Sequence, residues 1–358
     1  MDLPVMPPIK PMLCKTGTWE QVRVLLESGN GQIEPKWDGF RCIVFRDGER
    51  VELGSRNGKP LTRYFPDVVA AVQAEMPERC VVDGEVVVAG PLGLDFDLLS
   101  QRIHPAASRV EMLARQTPAR FVAFDLLALG DRDLRDTPFS ARRQGLEDAL
   151  SPARPPIHLT PITAEVATAL DWFDRFEGAG LDGVVAKGRE LRYQPDQRAM
   201  IKVKHERTGD FVVGGFRWYS ADRSVVGSLM LGLYDGDQLH HVGVIGSFPA
   251  DRRRALVEEL APYREPGRHP WGEWADFMVA DGGKAPGVGS RWNAKKDLSF
   301  ELLRPELVVE AAFEHLQGRR LRHTARFRRW RPDRDAASCT YDQLDVAVPT
   351  LLSDVFGA

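Results

Sequence analysis

The sequence predicts an α+β protein of two domains, a larger mixed domain over residues 1–206 and a small antiparallel β-barrel over residues 207–358. The chain has 358 residues, enough for two domains with sizeable cores. In the first part, apolar strand-like runs alternate with amphipathic helical segments and with turns that contain proline or glycine. In the second part, short strands follow one another through glycine-rich connections, which is typical of a small barrel.

The first domain is predicted to begin with a β-hairpin over residues 31–53, because its alternating pattern breaks at the turn dipeptide Asp47-Gly48. Residues 66–76 favour an amphipathic helix with Pro66 at its start. The other elements follow from apolar runs and their periodicity: strands over 80–88 and 121–129, helices over 139–150 and 165–178, and strands over 181–188 and 200–205.

The second domain is predicted to contain strands over 211–219, 228–234 and 238–248, followed by a helix near 250–260. The last strands are expected over 307–315 and in the arginine-rich tail. We place the domain boundary near residues 205–210, a polar segment that is expected to flex.

The composition is that of an ordinary globular protein, with 43% hydrophobic and 28% charged residues. The N-terminus lacks the features of a signal peptide, and no apolar run is long enough to span a bilayer. A cytoplasmic location and no membrane partner are therefore expected. The four cysteines form no C-x-x-C pair, which argues against a zinc site or a disulfide framework.

The distribution of charge is more informative than the net charge of −3, which does not suit a non-specific DNA coat protein. Residues 317–334 carry a dense arginine cluster with a single acid, Asp333. Phosphate is the natural partner of such a cluster, and an unspecific solvated face is the alternative. The arginines are Arg319, Arg320, Arg322, Arg326, Arg328, Arg329, Arg331 and Arg334.

The string EPKWDGFR around Lys36 is the strongest chemical signal in the chain. A lysine amine that attacks the α-phosphate of a nucleotide holds the nucleotide as a phosphoramide, and the amine must be deprotonated to do so. Gly39 lets the backbone come close to the nucleotide, and Arg41 offers a planar fork of donors. The string therefore predicts covalent nucleotidyl transfer at Lys36, and an exposed turn between two strands is the alternative.

Further motifs follow Lys36 in order: SRNGK at 55–59, DGE at 83–85, FVAFDLL at 121–127, LDGVVAK at 181–187 and MIKVK at 200–204. This ordered series resembles the ATP-dependent DNA ligases of the covalent nucleotidyltransferase superfamily, most of all the short bacterial ligase C type. The resemblance covers nearly the whole chain. It implies a nucleotidyltransferase domain, with ATP-grasp-like antiparallel sheets and helices, followed by an OB-fold β-barrel.

The resemblance implies a role for each matching residue. Lys36 becomes adenylated, Glu34 lies against adenine, and Phe124 stacks on adenine, an interaction worth about 1–3 kcal/mol per base. Asp182 and Glu85 match acids that bind metal, and Glu85 also matches a contact to the ribose. The remaining matches contact ribose, phosphate or the nick: Arg41, Arg56, Arg198, Lys202 and Lys204.

The tail LRHTARFRRWR resembles the last motif of the family, whose basic residues orient the pyrophosphate leaving group. Arg322 and Arg326 are the best matches there, followed by Arg328 and Arg329. Since this motif serves only the first step, the barrel is expected to close over ATP and then move away, with residues 205–210 as the hinge.

Two positions depart from the family pattern. Asp182 stands where the family usually has glutamate, so its carboxylate reaches one methylene less toward a metal. Met200 stands where the strand that carries Lys202 commonly has tryptophan, which affects packing and removes no phosphate contact. Neither departure suggests an inactive enzyme.

The resemblance implies ATP as substrate, a covalent AMP intermediate, Mg²⁺ with Mn²⁺ as an alternative, and nicked duplex DNA as partner. Relatives of this type are associated with repair, some beside primase-polymerases, so a repair role with such a protein partner is expected. A monomer is also expected. The alternatives are an RNA ligase, a GTP-using capping enzyme, and a non-catalytic nucleic-acid binder that uses the barrel.

About thirty residues precede Glu34, too few for the helical DNA-binding domain of larger ligases. We therefore expect loop 261–292 and the residues just after it to help hold DNA, with an insertion without function as the alternative. Its candidate contacts are Arg264, Arg268, Lys284, Arg291, Lys295 and Lys296, and its tryptophans Trp271, Trp274 and Trp292 are expected to pack on sugars or brace the loop.

Overall fold

The computed structural model describes residues 1–91, 93–219, 223–264, 267–280, 299–314, 316–317, 319–344 and 347–357. The chain divides into two compact units, one formed by Met1–Lys204 with Ala347–Ala358 and the other by His205–Val346. The predicted second domain, residues 207–358, therefore extends too far at its C-terminal end. The tail returns to the first unit because Val355 is fully buried there in an apolar cluster.

The predicted helices near 66–76, 139–150, 165–178 and 250–260 are present, and several further ones were not predicted. Helix α1 was missed although Thr18 and Gln21 form a capping box at its start. Among the residues that the structure describes, no helix is long and apolar enough to cross a bilayer. In chain order the helices are α1 (Trp19–Glu27), α2 (Pro66–Glu75), α3 (Phe96–Gln101), α4 (Ala107–Gln116), α5 (Phe139–Leu150), α6 (Val166–Phe176), α7 (Ala250–Leu260), α8 (Gly272–Ala280) and α9 (Leu352–Phe356).

The strands of the first unit form two sheets. They are β1 (Leu13–Thr16), β2 (Gly31–Pro35), β3 (Phe40–Asp47), β4 (Arg50–Ser55), β5 (Arg79–Gly90), β6 (Gly93–Leu94), β7 (Ala119–Leu129), β8 (Arg132–Asp133), β9 (Ile157–Leu159), β10 (Val184–Gly188) and β11 (Arg198–Val203). The small sheet has the order β1-β11-β10-β2, and the large sheet has the order β4-β3-β5-β7-β8 with β6 on β5 and β9 on β7. Both are mainly antiparallel, with β1–β11 and β7–β9 as parallel pairs.

The predicted hairpin over residues 31–53 is wrong in its first half. Strand β2 belongs to the small sheet, and only β3 and β4 form the hairpin, in the large sheet. The chain crosses between the sheets over residues 36–39. Gly39 is required at this crossing, because a Cβ atom there would lie 2.2 Å from the carbonyl oxygen of Val86 on β5. Lys36 therefore lies in a connection between two sheets and not in a strand.

The second unit confirms the predicted antiparallel barrel. Its strands are β12 (Arg207–Trp218), β13 (Val226–Asp235), β14 (Gln238–Ile245), β15 (Glu301–Leu302), β16 (Val308–Phe313), β17 (Leu316–Gln317), β18 (Arg320–Leu321) and β19 (Arg326–Trp330). The main sheet has the order β14-β13-β12-β16-β19, with β15 on β12. A bridge between Ile245 and Ala325 joins the chain at its two edges, so the sheet curls toward closure.

The segment 205–210, predicted to flex, is mostly ordered strand. Arg207 begins β12, and Asp210 is buried on that strand opposite Glu310 of β16. The Asp210 carboxylate accepts two hydrogen bonds from Nη1 of Arg331, at 3.0 and 2.9 Å. Of the predicted hinge, residues 205 and 206 are therefore the part that lies outside a strand.

The described part of loop 261–292 is braced against the barrel. Trp271 is buried and donates a hydrogen bond from Nε1 to the carbonyl of Leu239 at 2.7 Å. A Cβ atom on Gly214 would lie 2.5 Å from its ring, so glycine makes the hollow that receives the indole. Arg264 forms an ion pair with Glu301 at 2.6 Å and is thus already engaged within the unit. The predicted contacts Lys284, Arg291, Trp292, Lys295 and Lys296 lie outside the described residues.

Candidate active site

A pocket in the first unit is lined by residues from both of its sheets and from the crossing between them. It brings together most of the residues that the sequence predicted for the site. The lining residues are Leu13, Cys14, Glu34, Pro35, Lys36, Trp37, Arg41, Arg56, Glu85, Phe124, Val185, Lys187, Arg198, Met200 and Lys202. Predicted residues Asp182 and Lys204 are not in this lining, but Asp182 forms an ion pair with Lys36, and Lys204 forms an ion pair with Asp182.

Strand register explains how the small sheet contributes its side chains. Val185 on β10 lies opposite Glu34 on β2 and opposite Lys202 on β11, so the three residues form one row across the sheet. Residues in such a row project to the same face, and residues two positions apart along a strand share that face. Lys187 and Met200 are two positions from Val185 and Lys202, which accounts for their presence in the same pocket.

The large sheet contributes a second row of residues. Arg41 on β3 lies opposite Glu85 on β5, and Glu85 lies opposite Val122 on β7, two positions before Phe124. This register brings a cation, a carboxyl group and an aromatic ring to one wall of the pocket.

The position of Lys36 is fixed through both its backbone and its amine. Its N–H donates to the carbonyl of Gly183 at 2.8 Å, and its carbonyl accepts from the N–H of Asp182 at 2.9 Å. Its Nζ lies 2.7 Å from Oδ2 of Asp182, and Nζ of Lys204 lies 3.2 Å from the same oxygen. One buried carboxylate therefore anchors two lysines, and aspartate at position 182 is long enough to reach the Lys36 amine.

Glu34 presents a buried carboxylate with one oxygen engaged. Its Oε2 forms an ion pair with Nζ of Lys187 at 2.7 Å. Its Oε1 has no hydrogen-bond partner among the described residues, and Nη1 of Arg143 is 3.9 Å away. Burial raises the pKa of Glu34 above its ordinary value, against the opposing effects of Lys187 and Arg143. The free oxygen is an acceptor for a donor group on a ligand.

Two cationic side chains lie close to the Phe124 ring. The Arg41 guanidinium carbon is 4.5 Å from the ring centroid, and Nζ of Lys187 is 4.8 Å from it. Lys187 also donates a hydrogen bond to the Phe124 carbonyl at 3.2 Å. These contacts hold Phe124 in a defined position at the pocket wall.

The guanidinium of Arg41, predicted to contact the ribose, is already largely engaged. Its Nε and Nη2 each donate to the buried carboxylate of Asp83 at 2.6 Å. Burial alone would lower the pKa of Arg41, but the Asp83 charge and hydrogen bonds raise it above the ordinary value. Asp83 also accepts a hydrogen bond from the Tyr193 hydroxyl at 2.6 Å. Of the three guanidinium nitrogens of Arg41, Nε and Nη2 donate hydrogen bonds to described protein groups, and Nη1 does not.

Two arginines at the pocket differ in their availability. Arg198 donates from Nη1 to the carbonyl of Cys14 at 3.1 Å, which ties it to the small sheet. Arg56 follows β4, is exposed, and has no hydrogen-bond or ion-pair partner in the described parts of the chain. Both guanidinium groups line the pocket and suit phosphate oxygens.

Comparison with known proteins identifies the family. Residues 11–204 match the model of the ATP dependent DNA ligase domain, and residues 222–334 match that of the ATP dependent DNA ligase C terminal region. The chain belongs to the ATP-dependent DNA ligases. DNA ligase C2 of Mycolicibacterium smegmatis is 58% identical to this ligase, with 96% of each chain covered. DNA ligase C of Mycobacterium tuberculosis is 54% identical, with 99% of each chain covered.

The fold of this ligase is also similar to a solved structure of the Lig E DNA ligases, with a TM-score of 0.56. That likeness covers 90% of this chain and 100% of the other chain at 16% identity, and it supports the fold alone. Together with the two family models, this likeness confirms the predicted α+β class, with a nucleotidyltransferase domain followed by an OB-like C-terminal domain.

The arginines predicted to orient pyrophosphate belong to the second unit of the ligase. Arg326 and Arg328 are exposed on β19 and form ion pairs with Glu206. Arg322 is partly buried, and burial lowers its pKa to about 10. All described pocket-lining residues are in the first unit.

Among the charged residues that line the pocket or contact its predicted residues, Lys187, Asp83 and Arg143 were not predicted from the sequence. Lys187 belongs to the motif LDGVVAK, and its presence in the same motif as the predicted Asp182 was a usable signal. Asp83 belongs to the motif DGE, but nothing local shows that it binds Arg41 and Tyr193. Arg143 lies on α5, and its proximity to Glu34 depends on tertiary packing alone.

Glu85 has an unusual protonation equilibrium in this ligase. Burial raises its pKa to about 7, Asp83 and Asp182 act in the same direction, and Arg41 and Lys36 oppose them. Above that pH the pocket holds carboxylates close enough to repel one another. Such a group is suited to bind a cation.

Glu85→Gln is expected to change how stability depends on pH. Between about pH 4.5 and pH 7 the folded protein keeps a proton on Glu85 that the unfolded chain has lost. The contribution of Glu85 to the free energy of unfolding therefore falls as pH rises through this window, and the variant should gain stability relative to wild type. Urea unfolding in EDTA from about pH 5 to about pH 8 measures this.

The control is Glu49→Gln at an exposed turn position. It should leave the difference from wild type constant across the same pH range. A constant difference for Glu85→Gln as well would contradict the assignment.

Proposed function

We propose that this ligase seals nicks in duplex DNA through a lysyl-adenylate formed at Lys36. The observation that carries the proposal is the combination in one pocket of the anchored Lys36 amine, the Phe124 ring and the free acceptor oxygen of Glu34. Together these groups suit a purine nucleotide whose α-phosphate lies at the amine. The relatives at 54% and 58% identity are named DNA ligases, which supports DNA as the substrate.

In the first step, the Lys36 amine attacks the α-phosphorus of ATP, a nitrogen–phosphorus bond forms, and pyrophosphate leaves with the electrons of the broken bond. Asp182 Oδ2 lies 2.7 Å from the amine, which supports a role in directing it and in receiving the proton that it loses. Lys202, Lys204 and Arg198 would offset the charge that develops on the phosphate oxygens.

In the second step, the 5′-phosphate at the nick displaces Lys36 from the adenylate, so that the amine regains a proton and a pyrophosphate bond forms. In the third step, the 3′-hydroxyl attacks the activated phosphate and AMP leaves. The free guanidinium of Arg56 supports a contact to the nick phosphate. The protein acts chiefly by positioning and by charge stabilisation.

We propose Glu85 and Asp182 as the carboxylates that would hold Mg²⁺, with Mn²⁺ as an alternative. Their oxygen donors suit either ion. Burial, and to a smaller extent the charge of Asp182, raises the pKa of Glu85, and a bound cation would favour the ionised form of this carboxyl group. A divalent ion there would supply further charge neutralisation at the α-phosphate.

Glu34 supports ATP over GTP as the nucleotide. Adenine carries an exocyclic amine, which can donate to the free Oε1 of Glu34. Guanine carries a carbonyl oxygen at the corresponding position, which would face the carboxylate without a proton between them. This argument weighs against the GTP-using capping alternative.

A repair role is supported by a relative named a multifunctional non-homologous end joining DNA repair protein, from Mycobacterium tuberculosis, at 33% identity over 71% of this chain. The chain covers 32% of that protein, so the support is limited to the shared region. A primase-polymerase partner, a monomeric state and a cytoplasmic location stay predictions.

Nick sealing tests the proposed function directly. With ATP and Mg²⁺, wild type is expected to join a nicked duplex that carries a 5′-phosphate, and Lys36→Ala should not. The same variant should still join a nick that is already adenylated, because that step needs no lysine nucleophile. Lys10→Ala, at an exposed surface ion pair, is the control and should behave as wild type.

The alternative functions give different outcomes when adduct formation is measured together with nick sealing. A protein–nucleotide adduct with GTP and not with ATP would indicate a capping enzyme. Preferential joining of an RNA nick would indicate an RNA ligase. No adduct with either nucleotide would leave nucleic-acid binding by the barrel as the remaining function and would overturn the proposal.

Glu34→Gln is expected to reduce nucleotide discrimination. The loss of a charged acceptor should lower the kcat/KM of adenylation with ATP by about ten- to a hundredfold. With GTP the loss should be smaller, because the glutamine amide can rotate to donate to the guanine carbonyl. The ratio of the two values, which does not depend on the folded fraction, is the measurement. Glu147→Gln, which removes the surface partner of Arg143, is the control.

An unchanged ATP-to-GTP ratio in Glu34→Gln would contradict the assignment of Glu34 to the base. A changed ratio in the Glu147→Gln control would show that the effect arises from Arg143 and not from the Glu34 oxygen.

A further inference from the structure

The C-terminal segment, residues 347–357, packs on the first unit after the chain has formed the second. Thr350 donates a hydrogen bond from Oγ1 to the carbonyl of Arg175 at 2.9 Å. A Cβ atom on Gly178 would lie 1.7 Å from the carbonyl oxygen of Val348, so the segment approaches the backbone as closely as glycine allows. The contact is therefore specific to this part of the first unit.

Helix α9 brings Phe356 into an aromatic stack. The Phe356 ring lies 3.8 Å from the His158 ring at an angle of 15° and 5.1 Å from the Trp37 ring at an angle of 18°. In both pairs the ring planes are nearly parallel, as in stacked aromatic side chains. The stack thus joins the C-terminal segment to the residue that follows Lys36.

Trp37 has little freedom to move in this arrangement. It is buried, it is one of the residues that line the pocket, and its Nε1 donates to Oγ1 of Thr160 at 2.8 Å. The hydrogen bond fixes one edge of the indole. The Phe356 ring covers a face of it.

The C-terminal segment also packs near Asp182, the residue that forms the ion pair with Lys36. Trp37, Leu181 and Val355 belong to one buried cluster, against which Phe356 packs. Trp37 follows Lys36 in the chain, and Leu181 precedes Asp182, whose carboxylate binds the Lys36 amine. The C-terminal segment therefore supports both sides of the ion pair that directs the nucleophile.

We propose that Phe356 is a positioning residue for lysine adenylation, acting through Trp37 on the Lys36 amine. The inference rests on the proposed function, in which Lys36 is the nucleophile. It extends the site to a segment that lies after the barrel in sequence. Near-attack geometry is sensitive to displacements of the order of an ångström, so a loosened Trp37 is expected to slow the chemical step more than it weakens ATP binding.

Three substitutions separate a ring contact from simple burial. Phe356→Ala removes the ring, Phe356→Leu keeps an apolar side chain without a flat face, and Phe356→Tyr keeps the flat face. Leu351→Ala, at an exposed position of the same segment, is the matched control. Adduct formation is followed by intact mass in single-turnover reactions over a range of ATP concentrations, with the full-length protein.

Phe356→Ala and Phe356→Leu are expected to lower the maximal rate constant of adduct formation about tenfold, with KM for ATP within about twofold of wild type. Phe356→Tyr and Leu351→Ala should keep the wild-type rate constant. Joining of a pre-adenylated nick should be reduced less than adduct formation, because Lys36 is not a nucleophile in that step.

A merely structural role would reduce the fraction of protein that reacts and leave the rate constant of that fraction unchanged, which would overturn the proposal. A rate constant for Phe356→Leu equal to that of wild type would also overturn it. Failure of the proposed function is distinguishable, because wild type itself would then form no adduct.

Discussion

The site depends on one crossing of the chain, at which the backbone leaves the small sheet after Pro35 and enters the large sheet at Phe40. Lys36 lies in this crossing and exchanges two backbone hydrogen bonds with Asp182 and Gly183. The amine of Lys36 and the carboxylate of Asp182 then meet at 2.7 Å. Because each sheet brings one wall of the pocket, a shift of this crossing would displace the nucleophile from both walls at once.

Several of the charged side chains at the pocket are buried as ion pairs, and neither partner of a pair is stable there without the other. Glu34 and Lys187 are both almost fully buried, and breaking such a pair by removing one partner costs about 3–5 kcal/mol. Asp83 holds Arg41 and Tyr193 in the same manner on the other wall. Glu34 and Arg41 line the pocket and also belong to these ion pairs. Nucleotide recognition is therefore coupled to the stability of the first unit.

The sequence predicted the parts of the site whose chemistry constrains residue type. Lys36, Glu34 and Phe124 line one pocket, and their roles toward a nucleotide stay predictions. Helix α2 begins at Pro66, as predicted. The sequence did not predict the two-sheet crossing, because alternation of apolar residues continues through residues 31–47 without marking which sheet each strand joins. The return of the tail to the first unit was also missed, since stacking of Phe356 is a long-range contact with no local signal.

We propose that Lys36 is the nucleophile because, among the lysines of the site, it lies in the crossing between the two sheets, with its amine 2.7 Å from Asp182. The other lysines are Lys187, Lys202 and Lys204, which lie on strands of the small sheet or directly after one. Peptide mapping of the adenylated protein by tandem mass spectrometry, under neutral or alkaline conditions that preserve the phosphoramide bond, tests it most directly. We expect AMP on the peptide that contains Lys36 and on no other. AMP on Lys187, Lys202 or Lys204 would contradict it.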